Sequence, residues 1–197
     1  MKHFFLITTL IICSFLPFGC AKPDPELNIF DLKCENLKEP AGIATFMPRL
    51  SWKYSSEING TSQSAYQIIA ASDTNILDET SADLWNSGKI VSKESVLVPW
   101  NGEQLRSGTL CFWKVGIWDQ NDRISDWSTA SLFSTGLPEE TEWKAVYIAY
   151  NNSKDINASP QLRKGFTLDN DPEHLFIHVN SLGYHEVWVN GKKAGDK

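Results

Sequence analysis

Cys20 has the most legible chemistry in this sequence because of what stands in front of it. Lys2 supplies a positive head, Phe4 to Phe18 is almost entirely apolar, and a small Gly19 precedes the thiol. That order reads as a signal peptide, too short and wrongly flanked to span a membrane. A cysteine at the cleavage point is the lipid acceptor of an exported bacterial lipoprotein. The sequence thus predicts removal of residues 1–19, lipid on Cys20, and a tether over 20–26 that holds the protein to a membrane, in the outer membrane or periplasm. A standard lipobox carries Leu and then a small residue at the third and second places before the Cys. Pro17 and Phe18 stand there, with Leu16 one position early. The alternative is an ordinary cleaved signal peptide with Cys20 unmodified. Cys13, inside the apolar run, is filler.

The remaining reactive side chains point to little chemistry. The chain has 4 Cys, too few for a disulfide scaffold, and after cleavage only Cys34 and Cys111 remain. An exported compartment permits a bond between them, but two free buried thiols are the favoured reading. His174 and His178 would share a strand face, yet four residues of strand span about 13 Å. Two ligands of one zinc must each lie within about 2.1 Å of it, so the histidines are read as surface residues and no metal site is expected. The pairs Asp119 and Asp122, Glu139 and Glu140, and Asp169 and Asp171 fall in turns and serve turn chemistry and solubility. No phosphate loop, nucleophile elbow or Cys-x-x-Cys appears, so no cofactor is expected. A net charge of −6 argues against a nucleic-acid partner. Eight Trp is high for so short a chain. Most are expected in the core. Trp100, Trp118 and Trp188, on outward phases or beside turns, are the candidates for stacking on a sugar ring.

The elements that position these residues are strands. Leu50, Trp52 and Tyr54 alternate with Arg49, Ser51 and Lys53; Tyr66, Ile68 and Ala70 form the next inward row. Ser95 to Trp100 is a short apolar strand. The strongest strand puts Cys111, Trp113, Val115 and Ile117 on one face and Phe112, Lys114, Gly116 and Trp118 on the other. Trp127 to Thr135 is its returning partner. Ser81 to Trp85 is an irregular crossover rather than a helix. Short strands separated by polar turns predict an antiparallel sandwich over 27–137. A boundary falls at Gly136-Leu137-Pro138, and 138–197 begins a second set: Trp143 to Tyr150, Leu162 to Leu168, Leu175 to Val179 and Tyr184 to Val189. Asn190-Gly191 is a type I′ hairpin signal. Its second arm is barely begun at Lys197, so the second domain reads as incomplete.

These stretches together resemble the N-terminal, non-catalytic region of bacterial α-L-rhamnosidases of glycoside hydrolase family 78. The likeness runs through Leu32 to Glu35, Pro40, Gly42-Ile43, Pro48 to Lys53, Ala65 to Ile68, Asp83 to Lys89, Trp113 to Asp119, Asp126 to Ser128 and Phe133 to Leu137. It continues through Trp143, Arg163, Phe166, Leu182 to Tyr184, and Val189 to Asp196. The resemblance implies an all-β fold: an immunoglobulin- or fibronectin type III-like antiparallel sandwich, then an incomplete jelly-roll-like domain. It further implies that catalysis, by a pair of carboxyls about 6.5–9.5 Å apart in an inverting mechanism, resides in a later (α/α)₆ barrel. No catalytic residue is assigned to this chain, and its partner, a rhamnose-containing glycan, would be met through that missing domain. Two departures stand out. A fibronectin-like tyrosine corner reads Gly108-Thr109-Leu110-Cys111, without its hydroxyl. The turn Asn121-Asp122-Arg123 lacks Gly, so Asn121 is expected to supply any left-handed conformation. The other functional reading is a stand-alone carbohydrate-binding or scaffold lipoprotein.

Overall fold

The alternating rows assemble into two antiparallel sheets in a computed structural model that describes residues 27–139, 142–150, 160–170, 172 and 174–195. One sheet has the order β1 (Leu27–Cys34), β2 (Arg49–Ser56), β6 (Val98–Pro99). The other runs β4 (Trp85–Asn86), β3 (Gln63–Ala71), β7 (Leu110–Asp119), β8 (Ser131–Ser134), with β5 (Ile90–Val91) also on β3. A parallel bridge from Ile43 to Thr135 links the region after β1 to the end of β8. The fold is an all-β sandwich with no α-helix among the described residues, as the patterning predicts.

Packing follows the period of two. Leu50 and Trp52 of β2 face Ile68 and Ala70 of β3 and Cys111, Trp113, Val115 and Ile117 of β7 in one core cluster. Trp52 meets Tyr66 edge-on at 5.2 Å, the geometry aromatic quadrupoles favour. Each buried aromatic removes roughly 150–250 Å² from water, on the order of 4–6 kcal/mol at about 25 cal/mol per Å². The opposite face of β3 and β7 is also covered: Ile69, Ala71 and Phe112 pack with Leu77 from the crossover. That crossover contains a single 3₁₀ turn, Thr74–Ile76, capped by the Asp73 carboxylate. No helix forms at 81–85.

β1 escapes a simple alternation because it is bulged. Its register with β2 shifts between Phe30 and Lys33, and Asp31 sits at φ +53°. Lys33 and Lys53 pair with the Asp31 carboxylate at 3.5 and 2.8 Å. A bulge and lysines blunt an exposed edge strand against pairing with other chains.

Side chains take over where the ladders fail. The strand expected over Trp127 to Thr135 is regular only at Ser131–Ser134. Ahead of it, Ser128 donates its N–H to Val115 O at 2.9 Å and accepts the Val115 N–H on Oγ at 3.1 Å. Ser125 does the same with Ile117 at 2.8 and 3.1 Å. The corner without a tyrosine is closed from another strand: Thr135 Oγ1 accepts the Thr109 N–H at 2.8 Å and donates to Arg106 O at 2.6 Å. Asp122, not Asn121, takes the left-handed conformation, at φ +64°. The reason is Asp119. Its fully buried carboxylate accepts from the Asn121 and Arg123 N–H groups at 2.8 and 2.9 Å and from the Arg123 guanidinium at 3.0 and 2.8 Å. That draws the chain so that the reversal falls one residue later.

Two expectations need correction. The strand over Ser95 to Trp100 shrinks to Val98–Pro99 because Leu97 lies at φ +52°. After Pro138, the segments 143–150, 162–168 and 175–179 do not form strands. A strand exists through its ladder, and these segments have no ladder partner among the described residues. The paired element there is the hairpin of β9 (Val187–Val189) and β10 (Lys192–Ala194). Its turn has Asn190 at φ +50° and Gly191 at +79°, as a type I′ turn requires.

Two stability predictions follow from these contacts. Burial acts to raise the pKa of Asp119, but its bonds to Arg123 and Asn121 outweigh it and the pKa is lowered. A carboxyl lowered on folding stabilises above its unfolded pKa, about 3.9, and loses that contribution as pH falls through its folded value. Asp119→Asn is expected to cost about 1.5–3 kcal/mol at pH 7. The gap to the parent should begin to narrow below about pH 4 and close as pH falls through the lowered folded value; a gap that does not vary with pH refutes the charge's role. Second, a Cβ on Gly116 would lie 3.3 Å from the Trp127 ring. Gly116→Val should therefore lower stability by about 1–3 kcal/mol in urea unfolding, and an unchanged midpoint would show that Trp127 does not rest there.

Candidate functional site

The three candidate tryptophans have different surroundings. Trp100 is 2 % exposed, tilted against Trp85 at 4.9 Å and edge-on to Phe133 at 6.3 Å, with Nε1 donating to Glu103 O at 2.8 Å. It is not on an outward phase and offers no face to a sugar. The following turn packs on its neighbour Trp85: a Cβ on Gly102 would come within 2.8 Å of that side chain, so this approach is open only to glycine. Trp118 is half-buried, and Lys89 Nζ sits 4.7 Å from its ring centroid while also pairing with Asp122. One face of that ring is thus occupied by a cation. Trp188, 59 % exposed on β9, stands most open.

Around Trp188 lies a group the sequence pattern did not mark. Glu186 accepts from Lys193 Nζ at 2.7 Å, Tyr184 OH at 2.7 Å and Trp188 Nε1 at 3.3 Å. These bonds, that of Lys193 foremost, hold the Glu186 carboxyl down at about 2. The hairpin brings them together: Glu186 stands just ahead of β9, two residues from Trp188, with Lys193 opposite Trp188. The alternation of Tyr184, Glu186 and Trp188 was the available signal.

The other candidates are dispersed. His174 lies 5.3 Å from the Phe112 ring, His178 6.4 Å from Trp143, and His185 Nδ1 2.7 Å from Ser181 Oγ. Among the described residues no three side chains are grouped to hold a metal. Cys34 and Cys111 are free and buried in the same core. Burial, helped by the charge of Glu35, pushes the Cys34 thiol up to about 12; burial raises Cys111 too, with Cys34 and Asp83 adding to it. Such thiols stay protonated and inert. Cys20 and Cys13, and the turn acids Glu140 and Asp171, lie outside the described residues.

Two surface hollows lie among the described residues. One, of about 320 Å³, is lined by Gly42, Gly136, Trp143 and Ile177 among others; Trp143 Nε1 donates to Leu137 O at 3.0 Å. The larger, about 570 Å³, lies between the start of β1, the end of β2 and residues 126–129. It holds two acids, Glu57 and Asp126, both exposed. A general acid working near neutral pH needs a carboxyl kept protonated by burial, and neither residue has that setting. The remaining carboxylates with resolved partners cap turns or pair with bases: Asp78 with Thr80 and Ser81, Asp119 with Arg123, Glu35 with Arg49. This is an arrangement for holding a shape and presenting a surface.

Comparison with known proteins matches that description. The family described as Rha78A-like, N-terminal immunoglobulin domain, matches residues 29–139, more than half of the chain. An α-L-rhamnosidase of Formosa agariphila is 32% identical across 100% of this chain, which covers 23% of that protein. An α-L-rhamnosidase of Streptomyces avermitilis is 40% identical over 62% of this chain and 12% of its own length. Among solved structures, the Streptomyces avermitilis α-L-rhamnosidase complexed with L-rhamnose aligns with a TM-score of 0.57 at 40% identity, covering 60% of this chain and 11% of that one. The α-L-rhamnosidase from Dictyoglumus thermophilum gives 0.56 at 37% identity, over 60% and 13%. The chain spans less than a quarter of the length of the curated relatives it matches. With the sandwich, its register and this match in agreement, the chain belongs to the family of Rha78A-like N-terminal immunoglobulin domains.

Proposed function

We propose that this chain is the leading, non-catalytic part of an exported α-L-rhamnosidase that removes terminal rhamnose from glycans. Residues 1–19 direct export, Cys20 carries the lipid, 20–26 form the tether, 27–137 the sandwich, and 138–197 the start of a second β domain. The protein sits at the outer membrane or in the periplasm. Hydrolysis belongs to an (α/α)₆ barrel outside these residues, which is where the rhamnose-containing glycan is cleaved. The sandwich tethers and braces that barrel. One observation carries the reading: a family of N-terminal domains matches the sandwich, while the similar α-L-rhamnosidases are more than four times longer. The turn and ion-pair roles of Asp119, Asp78 and Glu35 support it by leaving these acids committed to structure. A second reading, a stand-alone carbohydrate-binding or scaffold lipoprotein, is favoured only by the exposure of Trp188 beside Tyr184.

The purified chain is expected to release no product from an aryl α-L-rhamnoside above a heat-inactivated control. Turnover by the chain alone would overturn the assignment. In cells fed a labelled fatty acid, the parent chain should take up label and Cys20→Ser should not; label on both, or on neither, refutes the anchor.

A further inference from the structure

Where the chain leaves the sandwich, its backbone is tied down at each step. Gly136 donates its N–H to Ile43 O at 2.8 Å and accepts the Gly108 N–H at 3.1 Å. An added Cβ on Gly136 would lie 3.1 Å from Gly42 O, so two stretches of backbone meet closely at this corner. The Leu137 carbonyl accepts the Trp143 indole N–H at 3.0 Å. Pro138 fixes its own φ and holds Leu137 extended. Glu139 and Glu142 then bond each other twice: the Glu142 N–H reaches Glu139 O at 3.1 Å, and the Glu139 N–H reaches Glu142 Oε2 at 3.2 Å. A flexible linker is rich in Gly and Ser and leaves its polar groups to water. From 136 to 143 the sequence has Gly136 alone and no Ser.

A later stretch closes on the same corner. The His178 ring meets Trp143 edge-on at 6.4 Å, and the His174 ring lies 5.3 Å from Phe112, on the outer face of β7. Ile177 and Val179 face Gly42 and Gly136 across the smaller hollow. Asn180 Nδ2 donates to Tyr147 OH at 3.0 Å, so 143–147 and 178–180 touch at two places. Trp143 is the common member. Its N–H is on the sandwich side and its ring on the side of His178, which couples the two. Neighbouring units of one chain move relative to each other unless something holds them. Here the hold is a short tied backbone with an indole wedged behind it.

We infer that Gly136 to Pro138, Trp143 and residues 174–179 form a fixed elbow, so that the chain leaves the sandwich at one set angle and not through a swivelling linker. The inference rests on the bracing role given to the sandwich and deepens it: a brace transmits position only through a joint that does not turn.

The test is ¹⁵N relaxation on the full 197-residue chain. Order parameters of about 0.85, those of rigid backbone, are expected at Leu137, at Trp143 Nε1 and over 177–179, matching β3 and β7. Trp143→Ala should drop 177–179 below about 0.6. β3 and β7 should keep their values and Tm should not change, because Trp143 lies outside both core clusters. Trp143→Phe, which keeps a ring and loses the bond to Leu137, should fall between. Trp188→Ala should match the parent. Flexible values over 177–179 in the parent, or unchanged values in Trp143→Ala, would overturn the elbow. So would a fall across β3 and β7 in that variant, which would make Trp143 a support of the sandwich and not of the joint. An inert chain that is flexible over 177–179 removes the elbow and leaves the accessory role standing; a chain that hydrolyses rhamnoside removes the accessory role first.

Discussion

The sandwich depends on the buried amide of Gln63. This side chain opens β3 and is 1 % exposed. Its Oε1 accepts the Trp52 indole N–H at 3.0 Å, and its Nε2 donates to Ser92 O at 3.1 Å and Glu94 O at 2.9 Å. One residue thus joins a strand of each sheet to the crossover between β5 and β6. A buried amide left without partners costs about 1–3 kcal/mol for each unmade bond, so the three segments are placed together or not at all. Trp52, fixed by that bond, in turn sets the edge-on contact with Tyr66 and the packing of the core beneath.

Gln63 is one instance of a wider constraint. Every buried backbone donor and acceptor needs a partner, and this sandwich has short strands and irregular edges. Polar side chains stand in for missing ladder groups: Ser125 and Ser128 along β7, Thr135 at the corner, Ser134 Oγ accepting the Gly42 N–H at 2.9 Å, Ser87 Oγ accepting the Ile68 N–H at 2.8 Å. The same accounting explains Asp119, which in another setting would attract attention as a buried acid. Its carboxylate bonds are to the turn it closes. Among the described residues Trp113 stands apart: its buried indole N–H is without a partner, a cost that burial of the whole ring offsets.

How much of this was legible depended on how local the cause was. The inward row from Cys111 to Ile117 was readable because alternation alone sorts it, and Asn190-Gly191 because two residues fix a type I′ turn. The free state of Cys34 and Cys111 was readable from their number, too few for a disulfide scaffold. Trp100 was misplaced because its burial comes from Trp85 and Phe133, distant in sequence. The turn's own residues point to Asn121 rather than Asp122 because the deciding bonds come from Asp119. β1 was passed over because a bulge breaks its alternation, and the strands expected after Pro138 lacked what no single segment contains, a neighbour to pair with. Of the surface features, Trp188 stood out by exposure and type, but Glu186 and Lys193 gain meaning only from the register across the hairpin.

The distribution of polar groups bears on what such a domain can contribute to an enzyme. Its buried polar side chains are spent on closing the backbone, and its thiols are protonated and enclosed. Chemistry in the interior is therefore excluded on energetic grounds: any deprotonation or bond-making there would break a contact the fold needs. The surface inherits the opposite property. Asp126 lies exposed on a stretch whose backbone is fixed on both sides by Ser125 and Ser128, and Glu57 follows directly on the end of β2. Side chains on such supports hold their geometry without a ligand, so a partner that matches them loses little freedom to order them. Its acids serve turns and ion pairs and its interior is closed, which suits an N-terminal immunoglobulin domain that holds a shape and presents a surface.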